Sequence, residues 1–496
     1  MKAISLMAVL LSSLLVPVTS WSQSASPGTG KDAAQPGREM PVTTASKEAL
    51  ALFQQGRDLL DNVEAAQAAP LFDKAIQADE RFALAHAYRA ISGGNLELRR
   101  KHADQAVKLS DGVSAGEKLW IQATRAAVNG DTAALVAANE SLLAMYPDDK
   151  RVQTAVGNYY QSVGDSTRAA RHFDRAAAID PTWAPAQNQV GFARLALGDL
   201  PGAEQALRRY VELRPNAPNA HDSLGELLMK QGRFEEAIAS YRKALAIDPS
   251  FTSSWEGIGN CQVLRGRYVE ARDAYAKGAA ASPGAGGKLG AHYLRAVSYV
   301  HEGKTGEAIG SFDALRAFAD ENGFPGWSVW SHLHSAWILI EADAVGAAAA
   351  HLDAAAARIA GSSMPAPGQA GLEIAVQRLR VMALARIHAF GEARALAQKN
   401  AADAAARKDE AAQRWLAGVQ AWAALEEGKP DIALDYAGRA VRDNAWTLYQ
   451  EAVARELKGQ AAEARKGFVQ LVHWNQNDLG YALVRAKALA RAGAAQ

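Results

Sequence analysis

The chain has 496 residues, with 54 Lys or Arg and 53 Asp or Glu, so its formal net charge is +1 at pH 7. That balance lacks the basic excess of nucleic-acid-binding surfaces, and a hydrophobic content of 49% is too high for a disordered chain. The single cysteine, Cys261, excludes an intramolecular disulfide and a cysteine-rich zinc or iron–sulfur site.

Residues 1–22 have the pattern of a signal peptide. Lys2 precedes an uncharged apolar run at residues 3–16, which is short for a spanning helix of about 20 residues. Small residues suit cleavage before Gln23, with cleavage after Ser20 as the alternative. An uncleaved anchor is the other interpretation of the run. We expect export to the periplasm or cell exterior, and no lipid anchor because no cysteine lies near the cut.

Residues 23–46 are rich in Ser, Pro, Gly and Thr and show no periodic apolar face. This composition predicts a disordered tether between the signal peptide and the folded part of the chain.

A period of 34 residues organises the middle of the chain. Four series keep this spacing: prolines at 147, 181, 215, 249 and 283; glycines at 157, 191, 225 and 259; glycines at 130, 164, 198, 232 and 266; and alanines at 169, 203, 237 and 271. A repeat of this length indicates a solenoid of stacked helix pairs.

Residues 219–251 carry the signature of one such repeat, namely Leu224, Gly225, Gly232, Ala237, Tyr241, Ala244 and Pro249. In these positions the sequence resembles the tetratricopeptide repeat family, and Trp255 adds the family's tryptophan in the next repeat. The resemblance implies helices at about 219–230 and 234–246, small residues where the two helices cross, and a glycine turn between them.

Away from this region the pattern weakens but helical periodicity continues. We predict an all-α fold, a right-handed superhelical solenoid of about twelve antiparallel helix pairs. Its parts are an N-terminal repeat and a degenerate one at 47–115, a regular array at 116–283, degenerate pairs at 284–477 with an irregular insertion at 284–290, and a C-terminal capping helix and tail at 478–496.

No motif for catalysis or metal binding is present in a usable arrangement. His221, Asp222 and Ser223 are consecutive on a predicted helix, so their side chains diverge and cannot form a triad. His332 and His334 diverge for the same reason. Cys261 stands where neighbouring repeats have Ala or Leu, which predicts a small buried residue. We expect no enzymatic activity, no cofactor and no metal.

The resemblance implies a ligand-binding groove lined by the first helix of each repeat. Asn158, Asn188 and Asn260 can donate to and accept from an extended backbone. Acidic residues on the same wall favour a basic peptide, although a solvated face is the alternative interpretation of both sets. The predicted groove residues are Asn158, Asn188, Phe192, Asp222, Glu226, Glu256 and Asn260.

Trp327, Trp330 and Trp337 share one helical stripe, next to a connection predicted at 320–326. They form a candidate aromatic platform for a sugar ring or a cation, with burial in the core as the alternative.

These observations favour an exported, non-catalytic scaffold that binds a protein or peptide partner, without nucleic acid and outside the membrane after signal cleavage. A carbohydrate-binding or cell-wall-associated protein that uses the tryptophan stripe is the alternative, and an envelope enzyme is the weaker one. The sequence does not fix the oligomeric state.

Overall fold

A computed structural model describes residues 39–493, apart from 363, 365, 408, 442 and 443. The predicted signal peptide and the predicted tether up to residue 38 lie outside the described residues. The chain divides into two compact units, one ending at Leu227 and the other beginning at Leu228. Each is described by itself, as the N-terminal unit and the C-terminal unit.

The N-terminal unit contains five helix pairs and the start of a sixth. Their helices are α1 Lys47–Asp61, α2 Ala65–Ala78, α3 Ala83–Ile91, α4 Leu96–Lys108, α5 Ala115–Asn129, α6 Thr132–Met145, α7 Lys150–Ser162, α8 Ser166–Ile179, α9 Ala184–Ala196 and α10 Leu200–Leu213. The boundary between the units falls within α11, Pro218–Lys230.

The C-terminal unit continues the alternation and ends with an unpaired helix. Its helices are α12 Phe234–Ile247, α13 Thr252–Leu264, α14 Tyr268–Ala281, α15 Ala285–His301, α16 Thr305–Glu321, α17 Pro325–Glu341, α18 Val345–Ala360, α19 Ala366–Arg386, α20 Phe390–Ala406, α21 Glu410–Glu426, α22 Pro430–Arg439, α23 Ala445–Leu457, α24 Ala461–Val472 and α25 Leu479–Arg491.

The described residues therefore form twelve consecutive helix pairs and a final helix, with no strand among them, which confirms the predicted all-α solenoid of helix pairs. Within those residues no helix is both long enough and apolar enough to cross a bilayer. Two local predictions were wrong. Residues 285–290 are the first turns of α15 and no irregular insertion, and only residues 322–324 separate α16 from α17, where a long connection was expected.

A residue in the left-handed conformation ends the first helix of most pairs. The glycines at 130, 164, 198, 232 and 266 have φ between 74° and 80°, a region that glycine enters without steric cost. In three other pairs Val63, Asp343 and His388 take the same place, with φ of 67°, 59° and 62°. The turn therefore persists where its glycine does not, which explains why the sequence register fades although the helix pairs continue.

The second glycine series lies where the two helices of a pair cross. A Cβ added to Gly157 would lie 2.5 Å from Phe173 Cε1, and one added to Gly259 would lie 2.2 Å from Tyr275 Cε1. Both facing rings are fully buried. The glycines thus allow an aromatic ring of the second helix to pack directly on the backbone of the first, as the resemblance implied.

Substituting Gly259 by Ala should therefore destabilise the C-terminal unit by about 1–3 kcal/mol, because the Tyr275 ring has to move out of a packed position. Gly310→Ala on α16 is the matched control, since an added Cβ there meets nothing within 4 Å. That control should stabilise its helix by up to about 1 kcal/mol. Urea denaturation followed by far-UV circular dichroism measures both changes, and equal midpoints for the two variants would contradict this account of the crossing.

Candidate functional site

The predicted groove residues fall into both units, and the five in the N-terminal unit differ in accessibility. Asn158 is exposed, and Phe192 and Glu226 are half-buried. Asn188 and Asp222 are buried, and Asn188 Oδ1 has no hydrogen-bond partner among the described residues. They therefore do not form one uniformly open ladder.

A different feature of this unit holds an extended peptide, and that peptide belongs to the chain itself. Residues 39–46, here called the N-terminal arm, precede α1 without forming a helix. The backbone N–H of Met40 donates to Asp149 Oδ2 at 2.7 Å. The N–H of Thr43 donates to Glu117 Oε1 at 2.6 Å, and its hydroxyl donates to Glu117 Oε2 at 2.7 Å. Two carboxylates thus bind main-chain donors three residues apart.

Both carboxylates are fixed by the helices that they begin. Asp149 caps α7 and accepts the N–H groups of Arg151 at 2.7 Å and Val152 at 3.2 Å. Glu117 forms a capping box with Ser114, whose N–H donates to Glu117 Oε2 at 3.0 Å. Helix N-termini stabilise negative charge, which favours the ionised form of both carboxylates. Because both side chains are also buried and held by their capping bonds, the free lone pairs of each carboxylate have a fixed direction.

Apolar packing and ion pairs hold the rest of the arm. Met40 and Val42 pack against the aromatic core of the first helix pairs. The Glu39 carboxylate lies 3.5 Å from Lys150 Nζ and 3.9 Å from an Arg151 guanidinium nitrogen. The prediction of a disordered tether is therefore wrong for residues 39–46, because buried acceptors and an apolar surface hold this part of the segment.

In the C-terminal unit, the loop at residues 474–478, here called the C-terminal loop, covers the predicted groove residue Asn260. Asn260 Oδ1 accepts from Tyr275 Oη at 2.8 Å and from Asn477 Nδ2 at 2.9 Å. Asn477 Oδ1 in turn lies 2.9 Å from His301 Nε2, which donates to it. Asn260 is therefore paired with a side chain of the chain's own C-terminal loop, and it forms no contact with an extended backbone among the described residues.

Contacts on both sides of Asn477 extend this coverage. Lys230 Nζ donates to Gln476 Oε1 at 2.6 Å, and Asn475 Nδ2 donates to the Lys230 carbonyl at 3.1 Å. Further along, Arg485 on α25 donates to the Leu264 carbonyl at 2.6 Å, one of the carbonyls left unpaired at the end of α13. The last of the predicted groove residues, Glu256, is half-buried. Its carboxylate packs closely on Gly290, since a Cβ added to that glycine would lie 2.6 Å from one carboxylate oxygen.

The tryptophan stripe lies against other side chains of the C-terminal unit. Trp327 and Trp337 pack against the apolar cluster of α15–α17 and α25, and the Trp337 ring meets Trp446 edge-on at 5.3 Å. Trp330 stacks on His334 at 5.5 Å. The indole nitrogens of Trp330 and Trp337 are buried without a partner among the described residues. These contacts use the rings for packing, while all three tryptophans stay half-buried.

Two further observations concern Cys261 and the residues that could bind a metal ion. Cys261 is fully buried, in agreement with the prediction. Within the described part of the chain no cluster of three or more His, Cys, Asp or Glu side chains is arranged to hold a metal ion.

The sequence did not single out Asp149, Glu117 or Asn477. A signal for two of them was present: an acidic residue at the start of α7, and the Ser114–Glu117 spacing of a capping box. The second role of these carboxylates was hidden, because the arm that they bind is 109 and 74 residues away along the chain.

Burial lowers the pKa of His301 to about 3, from an ordinary value of 6.5. Between these values the unfolded chain binds more protons than the folded one, so His301 makes the C-terminal unit less stable as the pH falls from 6.5 towards 3. His301→Gln should keep the donor to Asn477 and remove the titration. We expect the stability lost between pH 7 and pH 5 to shrink by roughly 2 kcal/mol.

Urea midpoints at the two pH values test this expectation. His473→Gln serves as the matched control, because His473 is exposed next to the C-terminal loop. If wild type and His301→Gln lose stability equally on acidification, His301 is not neutral and buried as described.

Glu117→Ala should release the N-terminal arm, because Thr43 loses both acceptors that hold its backbone and hydroxyl. Hydrogen exchange at residues 39–46 should accelerate by about tenfold or more, in line with the loss of charge-assisted hydrogen bonds. Mass spectrometry of proteolytic fragments measures this rate. Glu140→Ala, which removes an exposed carboxylate on α6, should leave it unchanged; an equal effect of both substitutions would show that Glu117 does not hold the arm.

Comparison with known proteins places the repeats in a family. The model of the tetratricopeptide repeat matches three overlapping windows, residues 154–220, 191–252 and 223–286. No curated protein matches the chain.

Several solved structures are similar to it. A crystal structure of MamA is 23% identical, with a TM-score of 0.29, and the match covers 34% of this chain and 95% of that one. A second MamA structure is 22% identical, with a TM-score of 0.30, over 34% of this chain and 91% of that one. A tetratricopeptide repeat protein from Parabacteroides merdae is 14% identical, with a TM-score of 0.35, over 55% and 94%.

The three windows of the family model fall on the helix pairs in which the 34-residue register is complete, and residues 154–286 are accordingly tetratricopeptide repeats.

Proposed function

We propose that this protein is an exported, non-catalytic scaffold whose N-terminal unit binds an extended segment of a partner protein along the track now occupied by the N-terminal arm. Its tetratricopeptide repeats support the general role of a protein-interaction scaffold. The observation that carries the specific proposal is the pairing of Asp149 and Glu117 with main-chain N–H groups of residues 39–46.

Main-chain recognition of this kind accepts many sequences, and side-chain contacts restrict the choice. Met40 and Val42 alternate along the extended arm and so present apolar side chains on the same side of it. Glu39 faces Lys150 and Arg151, so the residue before the apolar pair is acidic. The fitting partner is thus an extended segment with alternating apolar side chains and an acidic residue ahead of them. The arm gives no support to the predicted preference for a basic peptide.

In the unbound protein the arm competes with any partner. A segment tethered next to its site has an effective concentration in the millimolar range, so a partner peptide of micromolar affinity is outcompeted by about a hundredfold or more. A variant with a weakened arm should therefore expose the binding activity.

The test uses a fluorescent peptide with the sequence of residues 39–46 and the full chain carrying Val42→Asp. We expect the variant to bind the peptide by fluorescence anisotropy, and wild type to bind it at least about tenfold more weakly because its own arm competes. Adding Glu117→Ala to Val42→Asp should abolish binding by removing the acceptors for Thr43.

A peptide with Asp in place of Val at the position of residue 42 is the ligand control. The proposal fails if the Val42→Asp chain binds neither peptide, or binds both equally. Export is tested separately by N-terminal sequencing of the mature protein, for which the proposal requires a start at Gln23 or Trp21.

A further inference from the structure

A cavity of about 660 Å³ lies in the C-terminal unit between α18, α19, α20 and α21, and neither the N-terminal arm nor the C-terminal loop takes part in it. Its volume falls in the range of small-molecule sites, about 300–1,000 Å³. Apolar side chains form most of the wall, including Ile359, Ile374, Leu396 and Leu416.

Arg378 on α19 lines this cavity, is half-buried there and lies beside an aromatic ring. The guanidinium carbon lies 5.2 Å from the centre of the Trp415 ring on α21. Nowhere in the described chain does Arg378 find an ion pair or a hydrogen bond. The carboxylate that acts on it, Asp409, is engaged as the cap of α21, where it accepts the Ala412 N–H at 2.9 Å. Burial lowers the pKa of Arg378 to about 10, which reflects the cost of holding a charge here.

A second arginine on the same helix shows how such a guanidinium is paired with carboxylates. Arg386, eight residues along the same helix, lies over Trp422 at 4.8 Å in an equivalent stack. Unlike Arg378, it has carboxylates around it: Glu426 at 3.3 Å, Asp343 at 3.5 Å and Glu341 at 3.8 Å. The same arrangement of guanidinium and indole thus forms ion pairs with carboxylates at one site and forms none with a described residue at the other.

A second unsatisfied donor lines the same cavity. The amide nitrogen Nδ2 of Asn400 on α20 is buried and finds no acceptor among the residues that the structure describes. The other charged residues of the lining, Glu373, Lys399, Asp403 and Arg407, are exposed, with both signs represented. Apart from the half-buried amide of Gln377, the interior of the cavity therefore carries one cation, the unsatisfied amide donor of Asn400 and apolar walls.

From this arrangement we infer that the cavity binds a small organic carboxylate with an apolar body, its carboxylate on Arg378 and Asn400 and its body on the apolar walls. A guanidinium matches a carboxylate in charge and in planar geometry. A phosphate dianion would keep an uncompensated charge, since only one interior cation is available. The inference is independent of the peptide track in the N-terminal unit.

Decanoate and decan-1-ol, a carboxylate and an alcohol with the same chain length, are the probes. Binding to the full chain is measured by ligand-observed NMR and by the shift in thermal midpoint, because a ligand that binds only the folded state stabilises it. We expect decanoate to bind wild type, and decan-1-ol to bind at least about tenfold more weakly for lack of the charge-assisted hydrogen bonds.

Arg378→Met keeps the length of the side chain and removes the charge. It should weaken decanoate at least about tenfold and should raise the thermal midpoint of the ligand-free protein, because an uncompensated charge is replaced by an apolar group. Arg380→Met is the matched control on the same helix, since Arg380 pairs with the exposed Asp353 at 2.9 Å; it should leave decanoate binding unchanged.

Three outcomes would overturn the inference: no decanoate binding to wild type, equal affinity for decanoate and decan-1-ol, or equal decanoate affinity in wild type and Arg378→Met. Should Arg378→Met not fold, Arg378→Lys retains the charge without the planar fork, and the comparison of the two probes on wild type remains decisive.

Discussion

The packing of one large side chain on a glycine of the facing helix sets the geometry of the regular helix pairs. Gly157 faces Phe173, Gly191 faces Leu207, and Gly259 faces Tyr275 at the same point of three pairs. Because the contact brings the two backbones together, it fixes how each pair presents its first helix to the next pair. The faces that carry the arm and the C-terminal loop depend on this repeated contact.

Stacking of the helix pairs buries their apolar side chains along the array. The face formed by the first helices still has polar groups that need hydrogen-bond partners. Each unit satisfies them with a segment of its own that is remote in sequence. In the N-terminal unit Asp149 and Glu117 serve twice: Asp149 caps a helix and Glu117 completes a capping box, and both accept from the arm. In the C-terminal unit a chain of amides and rings, His301, Asn477 and Asn260, performs the equivalent task. A capping carboxylate suits the double role, because it has more lone pairs than the helix end uses.

The sequence was sufficient to predict the helix pairs, their number and the residues that pack inside them, since all of these follow from local periodicity. It was not sufficient to predict what covers the groove. Asn260 and Asn477 are 217 residues apart, and nothing in the spacing of either identifies the other. The tryptophan stripe illustrates the same limit: its helical register was correct, but its contact with Trp446 depends on a helix more than a hundred residues further on. The role of Arg378 was not predicted, because the lack of an ion pair becomes visible only when the neighbouring residues in the fold are known.

The separation between Asn260 and Asn477 has a consequence for the order in which the chain can fold during synthesis. Residues 39–46 are made before the carboxylates that bind them, so the N-terminal unit has its covering segment available as soon as α5 and α7 emerge. The C-terminal unit lacks Asn477, which follows Asn260 by 217 residues, and α25 until all of the intervening chain has been made. Since contacts between distant residues form slowly, Asn260 and His301 stay in contact with water for most of that time. The C-terminal unit can therefore complete its fold only after the C-terminal loop and α25 have been made, however early Asn260 and His301 appear.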